Sequence, residues 1–194
     1  MLRFLVVLLF GFVIPPALIF LGVIPFAFRF NVLLLSSLAL GIYAWASGYR
    51  LRELGIRRDT FLSSLAVNGA ITVLVATALL AGHGYDLIRA PTIPQWSAFF
   101  PLYVAVFCPA QEFACRGVMF AELNRMRAVP TVQICFSALI YSFIHIIYHD
   151  PLTLLATLVI GIVWGAAYWF RPNLVTISLS HAILGFISIL VGLV

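Results

Sequence analysis

The stretch PLTLLATLVIGIVWGAAYWFRPNLVTISLSHAILGFISILVGLV, residues 151–194, decides the fold class. It holds two apolar runs, roughly 152–170 and 174–193, parted by Arg171, Pro172 and Asn173. A helix crosses the hydrocarbon of a bilayer with about 20 apolar residues, and each run has that length. Moving outward, similar runs fall at roughly 4–24, 30–47, 61–82, 97–122 and 131–148. The whole chain agrees: 64% of its 194 residues are hydrophobic and 9% charged, against about 45–50% apolar and about 25% charged in a soluble domain. The expected fold is an all-α polytopic transmembrane helical bundle of about seven spans, with the lipid bilayer as its solvent. No repeat or low-complexity linker divides the chain. It reads as one structural domain, with N-terminal transmembrane helices and a basic cytoplasmic loop over 1–95 and a core over 96–194.

All eleven basic residues are arginine. They sit singly or in one short loop between apolar runs, the pattern of topology signals and not of a phosphate-tracking face, so nucleic acid is not an expected partner. Arg50, Arg52, Arg57 and Arg58 lie between runs two and three, Arg125 and Arg127 between four and five, and Arg171 between six and seven. With seven crossings these loops, and Arg3, share one side. The opposite loops carry only Arg29 and Arg89, with Asp86 and Asp150. The positive-inside rule makes the arginine side cytoplasmic, which puts the N-terminus inside, the C-terminus outside, and the protein in a plasma (inner) membrane. Met1-Leu2-Arg3 and the apolar residues after it are expected to be a retained first helix, because the run continues through Pro15-Pro16 with no small-residue cleavage site. Residues 48–64 mix arginines with Leu51, Leu54, Ile56 and Phe61, which suits an interfacial amphipathic helix or a solvated loop equally. Cys108, Cys115 and Cys135 lie in apolar runs and read as small buried hydrophobes.

Ionisable groups inside spans cost about 2.5–3.5 kcal/mol each on insertion scales. Here they cluster: Gln111, Glu112 and Arg116 in the fourth run, His145 in the fifth with His149 at its end, and His181 in the seventh. Glu112 and Arg116 are four residues apart and share a helix face, which permits a self-neutralising pair that merely tolerates insertion. That pair does not account for the histidines. At 1.5 Å per residue from the arginine side, Glu112, His145 and His181 lie roughly 15, 21 and 10 Å deep, so all three reach a common level near mid-membrane. A carboxylate and imidazoles enclosed together suit general-base activation of water and oxyanion stabilisation. No cofactor is expected. A metal at His145, His149 and Asp150 is disfavoured, since HExxH is absent. Transport is also disfavoured, because no matching broken halves are visible.

The run Gln111-Glu112-Phe113-Ala114-Cys115-Arg116-Gly117 resembles the EExxxR-G motif of the CAAX protease and bacteriocin-processing family, the type II CAAX prenyl endopeptidases. Tyr141 to His145 resembles that family's FxxxH motif, and His181 to Gly185 its HxxxN motif. The resemblance covers about residues 97–190. It implies a helical bundle around an enclosed site and an intramembrane glutamic-type endopeptidase acting on membrane-embedded or lipidated peptide substrates. It implies that Glu112 and His145 activate water and that His181 serves the oxyanion, with Gln111 and Arg116 completing the catalytic set. Two positions depart from the motifs. Gln111 stands where the family has its first glutamate, and Gly185 where it has asparagine. These departures favour an alternative, a non-catalytic member that binds a peptide or partner in the membrane, for example in bacteriocin immunity.

Overall fold

The computed structural model describes residues 2–84 and 96–193, with side chains from Phe99 onward in the second stretch. The described residues form seven helices and no strand. Six are long and apolar enough to span a membrane: α1 (Leu2–Phe20), α2 (Phe26–Ala46), α3 (Phe61–Gly84), α4 (Phe99–Arg125), α5 (Pro130–Tyr148) and α6 (Pro151–Phe170). The last, α7 (Leu174–Leu190), has 17 residues. At 1.5 Å per residue it reaches about 26 Å, the short end of spanning length. Asp86 and Arg89 lie outside the described residues.

The outer surface is apolar, as a lipid-solvated bundle requires: Trp45, Leu62 and Leu74 are among the most exposed side chains. Cys135 also faces outward, unlike buried Cys108 and Cys115, because the inner face of α5 is taken by Gln133, Ser137 and Tyr141. α4 is the central helix. Its most apolar window is 61% buried, against 11% for α2 and α3. Phe12, Leu40, Trp164 and Ile177 join its Val118 and Met119 in one core.

Prolines shape the helices without breaking them. The carbonyls four residues before Pro15, Pro16 and Pro109 belong to Gly11, Phe12 and Ala105. All three lie in widened π turns, at Leu9–Val13 and Tyr103–Phe107. A wider turn gives the pyrrolidine ring room where a regular α-helix would clash. A third π turn, Phe113–Val118, carries Arg116. α5 and α6 approach closely because Gly161 and Gly165 leave space for Ala138 and Ile134, and a Cβ at Gly161 would sit 3.2 Å from the Ala138 backbone. Small residues spaced in this way are a common means of close helix packing in lipid.

Between α3 and α7 the contact is a polar ladder. Ser64 and Thr176 hydroxyls are 2.6 Å apart, Asn68 Nδ2 donates to Ser64 Oγ at 3.1 Å, and Thr72 and Ser180 hydroxyls are 2.7 Å apart. Trp164 Nε1 donates to Ser180 Oγ at 3.0 Å, so the ladder reaches α6. In hydrocarbon such bonds fix helix register at about 0.6 kcal/mol apiece.

The three arginine-bearing loops lie together at one end of the bundle. Leu174 N donates to Gly55 O at 2.8 Å, Thr60 Oγ1 to Pro172 O at 2.7 Å, and Asn173 Nδ2 to Arg57 O at 2.7 Å. Arg125 donates to Ser47 O at 3.0 Å. Residues 48–60 form a chain of turns and not a helix, since Tyr49 and Leu54 are drawn into the core and interrupt any regular face. Near the same end Glu122 accepts from the hydroxyls of Tyr43 and Tyr49, with Arg3 3.8 Å away. This contact ties α1 and α2 to α4.

Candidate active site

The polar side chains of α4, α5 and α7 converge behind and along one cavity of about 780 Å³. Its wall is mostly apolar, with Gln111, Tyr141, His145, His181 and Tyr103 among its polar members. The lining comes largely from the halves of the helices away from the arginine-rich loops, namely the ends of α1, α3, α5 and α7 and the beginnings of α2, α4 and α6, and it reaches as far as Val163 and Trp164 on α6.

Glu112 is fully buried and is not part of that wall. One turn of helix separates it from Arg116, whose Nη1 donates to Glu112 Oε1 at 3.2 Å. His181 Nδ1 donates to the same oxygen at 2.7 Å. A carboxylate can only accept, so the neutral imidazole carries its proton on Nδ1 and leaves Nε2 as the basic nitrogen. That nitrogen is 3.5 Å from the Tyr141 hydroxyl. His145 has the same tautomer for a different reason: its Nδ1 donates to the carbonyl of Tyr141 at 2.7 Å, one turn back on α5. Both histidines therefore present a basic Nε2 while their other nitrogen is fixed, the arrangement by which proteins orient imidazoles for proton transfer.

Aromatic rings enclose the pair. Trp164 stacks on His181 with centroids 5.1 Å apart, and the Arg116 guanidinium lies 4.2 Å over the Tyr141 ring. Even so, the cluster is not fully satisfied: Glu112 Oε2 and Arg116 Nε and Nη2 are buried with no hydrogen-bond partner among the described residues. A buried ion pair with incomplete bonding is a poor way to gain stability, and an apolar packing of the same volume does as well or better.

Of the sequence-predicted residues, Glu112, Arg116 and His181 make one bonded cluster, while Gln111, His145 and His181 share the cavity wall. His149 stands apart, with its ring stacked on Phe20 at 4.5 Å. Asp150 caps α6 by accepting from Thr153 N at 3.0 Å. Sequence reasoning missed Trp164 and Tyr103. A tryptophan in an apolar run carries no signal for a ring stacked on histidine. For Tyr103 a signal existed in Gly185, because a Cβ there would collide with the Tyr103 hydroxyl. The tyrosine occupies the space that a side chain at 185 would need, and its ring meets His181 edge-on at 6.5 Å.

The fold and the site define a polytopic α-helical membrane protein with a carboxylate–imidazole pair sealed inside its bundle. Residues 93–187 match the family described as type II CAAX prenyl endopeptidase Rce1-like. Through this segment the chain is similar to the CAAX protease family, a family of peptidases. No curated protein matches the chain, and no solved structure does.

Proposed function

We propose that this protein is an intramembrane endopeptidase whose general base is His181, held by Glu112. The observation that carries this reading is the 2.7 Å bond between His181 Nδ1 and Glu112 Oε1 beside a cavity wall that contains histidines but no carboxylate. A water in the cavity would attack the scissile carbonyl carbon while His181 Nε2 takes its proton. Glu112 would stabilise the imidazolium, and the proton would pass to the departing amine. The role differs from direct activation by Glu112, because that carboxylate has no surface on the cavity and its Oε1 is already shared by Arg116 and His181. His145 is suited to orient the water. The Gln111 amide and the Tyr103 hydroxyl are suited to donate to the oxyanion, so Gln111 acts as a donor where a base is missing.

The largely apolar wall fits a membrane-embedded or lipidated peptide as substrate. With the arginine-rich end cytoplasmic by the positive-inside rule, the N-terminus is inside and the C-terminus outside, and the cavity belongs to the outer half of the plasma membrane. A second reading, a non-catalytic binding protein, is favoured by Gln111 on the cavity wall. Mass spectrometry of membrane-protein termini decides between them. In cells expressing the chain, new termini are expected that vanish with His181→Ala. Identical termini in the two cultures would overturn the peptidase reading and favour binding.

A further inference from the structure

A second cavity, of about 670 Å³, lies at the arginine-rich end and shares no lining residue with the first. We propose that it is a binding site for a phosphate group, carried by an anionic lipid headgroup or free in solution. Its wall holds Arg50, Arg52 and Arg57 from the loop after α2, Asn124 from α4, Gln133 from α5 and Tyr168 from α6.

The charge balance in this wall is positive. Arg52 and Arg57 share one carboxylate, Asp59, at 2.9 and 2.6 Å. The hydrogen bond from Arg57 holds Asp59 well below the usual carboxylate range, at about 2, so that single negative charge persists in ordinary conditions but serves two guanidiniums. Arg50 makes no ion pair among the described residues. Glu53, the one carboxylate in the wall, is already engaged by the Arg50 backbone N at 2.8 Å and by Arg125 at 3.5 Å.

One buried donor also points to a missing ligand. The Tyr168 hydroxyl has no hydrogen-bond partner among the described residues, although its side chain is almost fully buried. Leaving such a group unpaired is costly. Gln133 borders the site without donating into it, since its Nε2 donates to Asn124 Oδ1 at 3.0 Å and to Ala128 O at 2.8 Å. Gly55 takes a positive φ of 81°, and any Cβ there would strike the Tyr168 hydroxyl, so the loop is built around that hydroxyl. Arginines with a tyrosine O–H form a donor set for phosphate oxygens. The cavity also stands where loop meets apolar belt, beside exposed Leu51, Trp169 and Phe170. That is the level of lipid headgroups.

Native mass spectrometry of the full chain released from detergent micelles tests this, with phosphatidylglycerol, a neutral glycolipid lacking phosphate, and inorganic phosphate as probes. A one-to-one phosphatidylglycerol adduct is expected, at least tenfold more abundant than the glycolipid adduct. It should fall at least tenfold in Arg50→Gln/Arg52→Gln and also weaken in Tyr168→Phe, which keeps the ring. If millimolar inorganic phosphate displaces the adduct, the site reads the phosphate alone; if phosphate is inert, it reads the phosphate as part of a lipid. Either result supports the site. Equal adducts with the glycolipid, or a phosphatidylglycerol adduct unchanged in both variants, would overturn it.

Discussion

Arg116 is fully buried, pairs with Glu112 at 3.2 Å and leaves two nitrogens without partners among the described residues. Removing it strands a buried carboxylate, which typically costs about 3–5 kcal/mol. Arg116→Met should therefore lower the unfolding midpoint in mixed micelles sharply, and adding Glu112→Gln should restore part of the loss. If the single variant unfolds like the parent protein, the pair carries no such charge. Gly185 and Tyr103 make a second coupled pair. Gly185→Ala should destabilise, Tyr103→Phe should relieve that clash, and their double-mutant cycle should show coupling. If the Tyr103 hydroxyl donates to the oxyanion, Tyr103→Phe alone should slow cleavage by about 100-fold, whereas an unchanged rate would remove it from the site. At this scale the sequence was informative wherever a residue was costly. Charge and imidazole in apolar runs flagged Glu112, Arg116, His145 and His181. Position 112 could not be told from position 111 as the group facing the cavity, because adjacent residues on a helix differ by about 100° and the local π turn alters the phase. Trp164 carries no unusual cost in lipid and left no mark, and Tyr103 was marked only indirectly, by the glycine at 185.

At the scale of elements, α7 owes its place to its start. Asn173 Oδ1 accepts from Thr176 N at 3.2 Å, and its Nδ2 donates to Arg57 O at 2.7 Å. One side chain thus caps the helix and fastens it to the loop after α2. Asn173→Ala should cost about 1–2 kcal/mol, read as a lower unfolding midpoint and faster proteolysis of residues 48–60. No change in either would show the cap to be idle. The helices themselves were legible as apolar runs, and each of the seven falls where hydropathy places it. Their internal form was not. π turns follow from where a proline ring meets a carbonyl four residues back, and the sequence does not say whether the helix will break, kink or widen there. Residues 48–64 fitted a helix or a loop equally, and burial of Tyr49 and Leu54 decided for turns.

For the whole molecule, the arginine distribution anticipated the arrangement of loops. Three loops far apart in sequence meet at one end and hydrogen-bond to one another. What the loops enclose was not legible, because the cavity there depends on contacts between α4, α5, α6 and the turns that no local pattern encodes. On the proposed mechanism the bundle holds a working base, His181 backed by Glu112, although Gln111 stands in the cavity wall. The most direct test is the rate of substrate-fragment formation by the parent chain and by Gln111→Glu, measured at equal expression. With His181 as the base, the rate should be unchanged or lower in the variant, since a donor is lost and no base was wanting. A gain of tenfold or more would contradict it and identify position 111 as the place of an absent base.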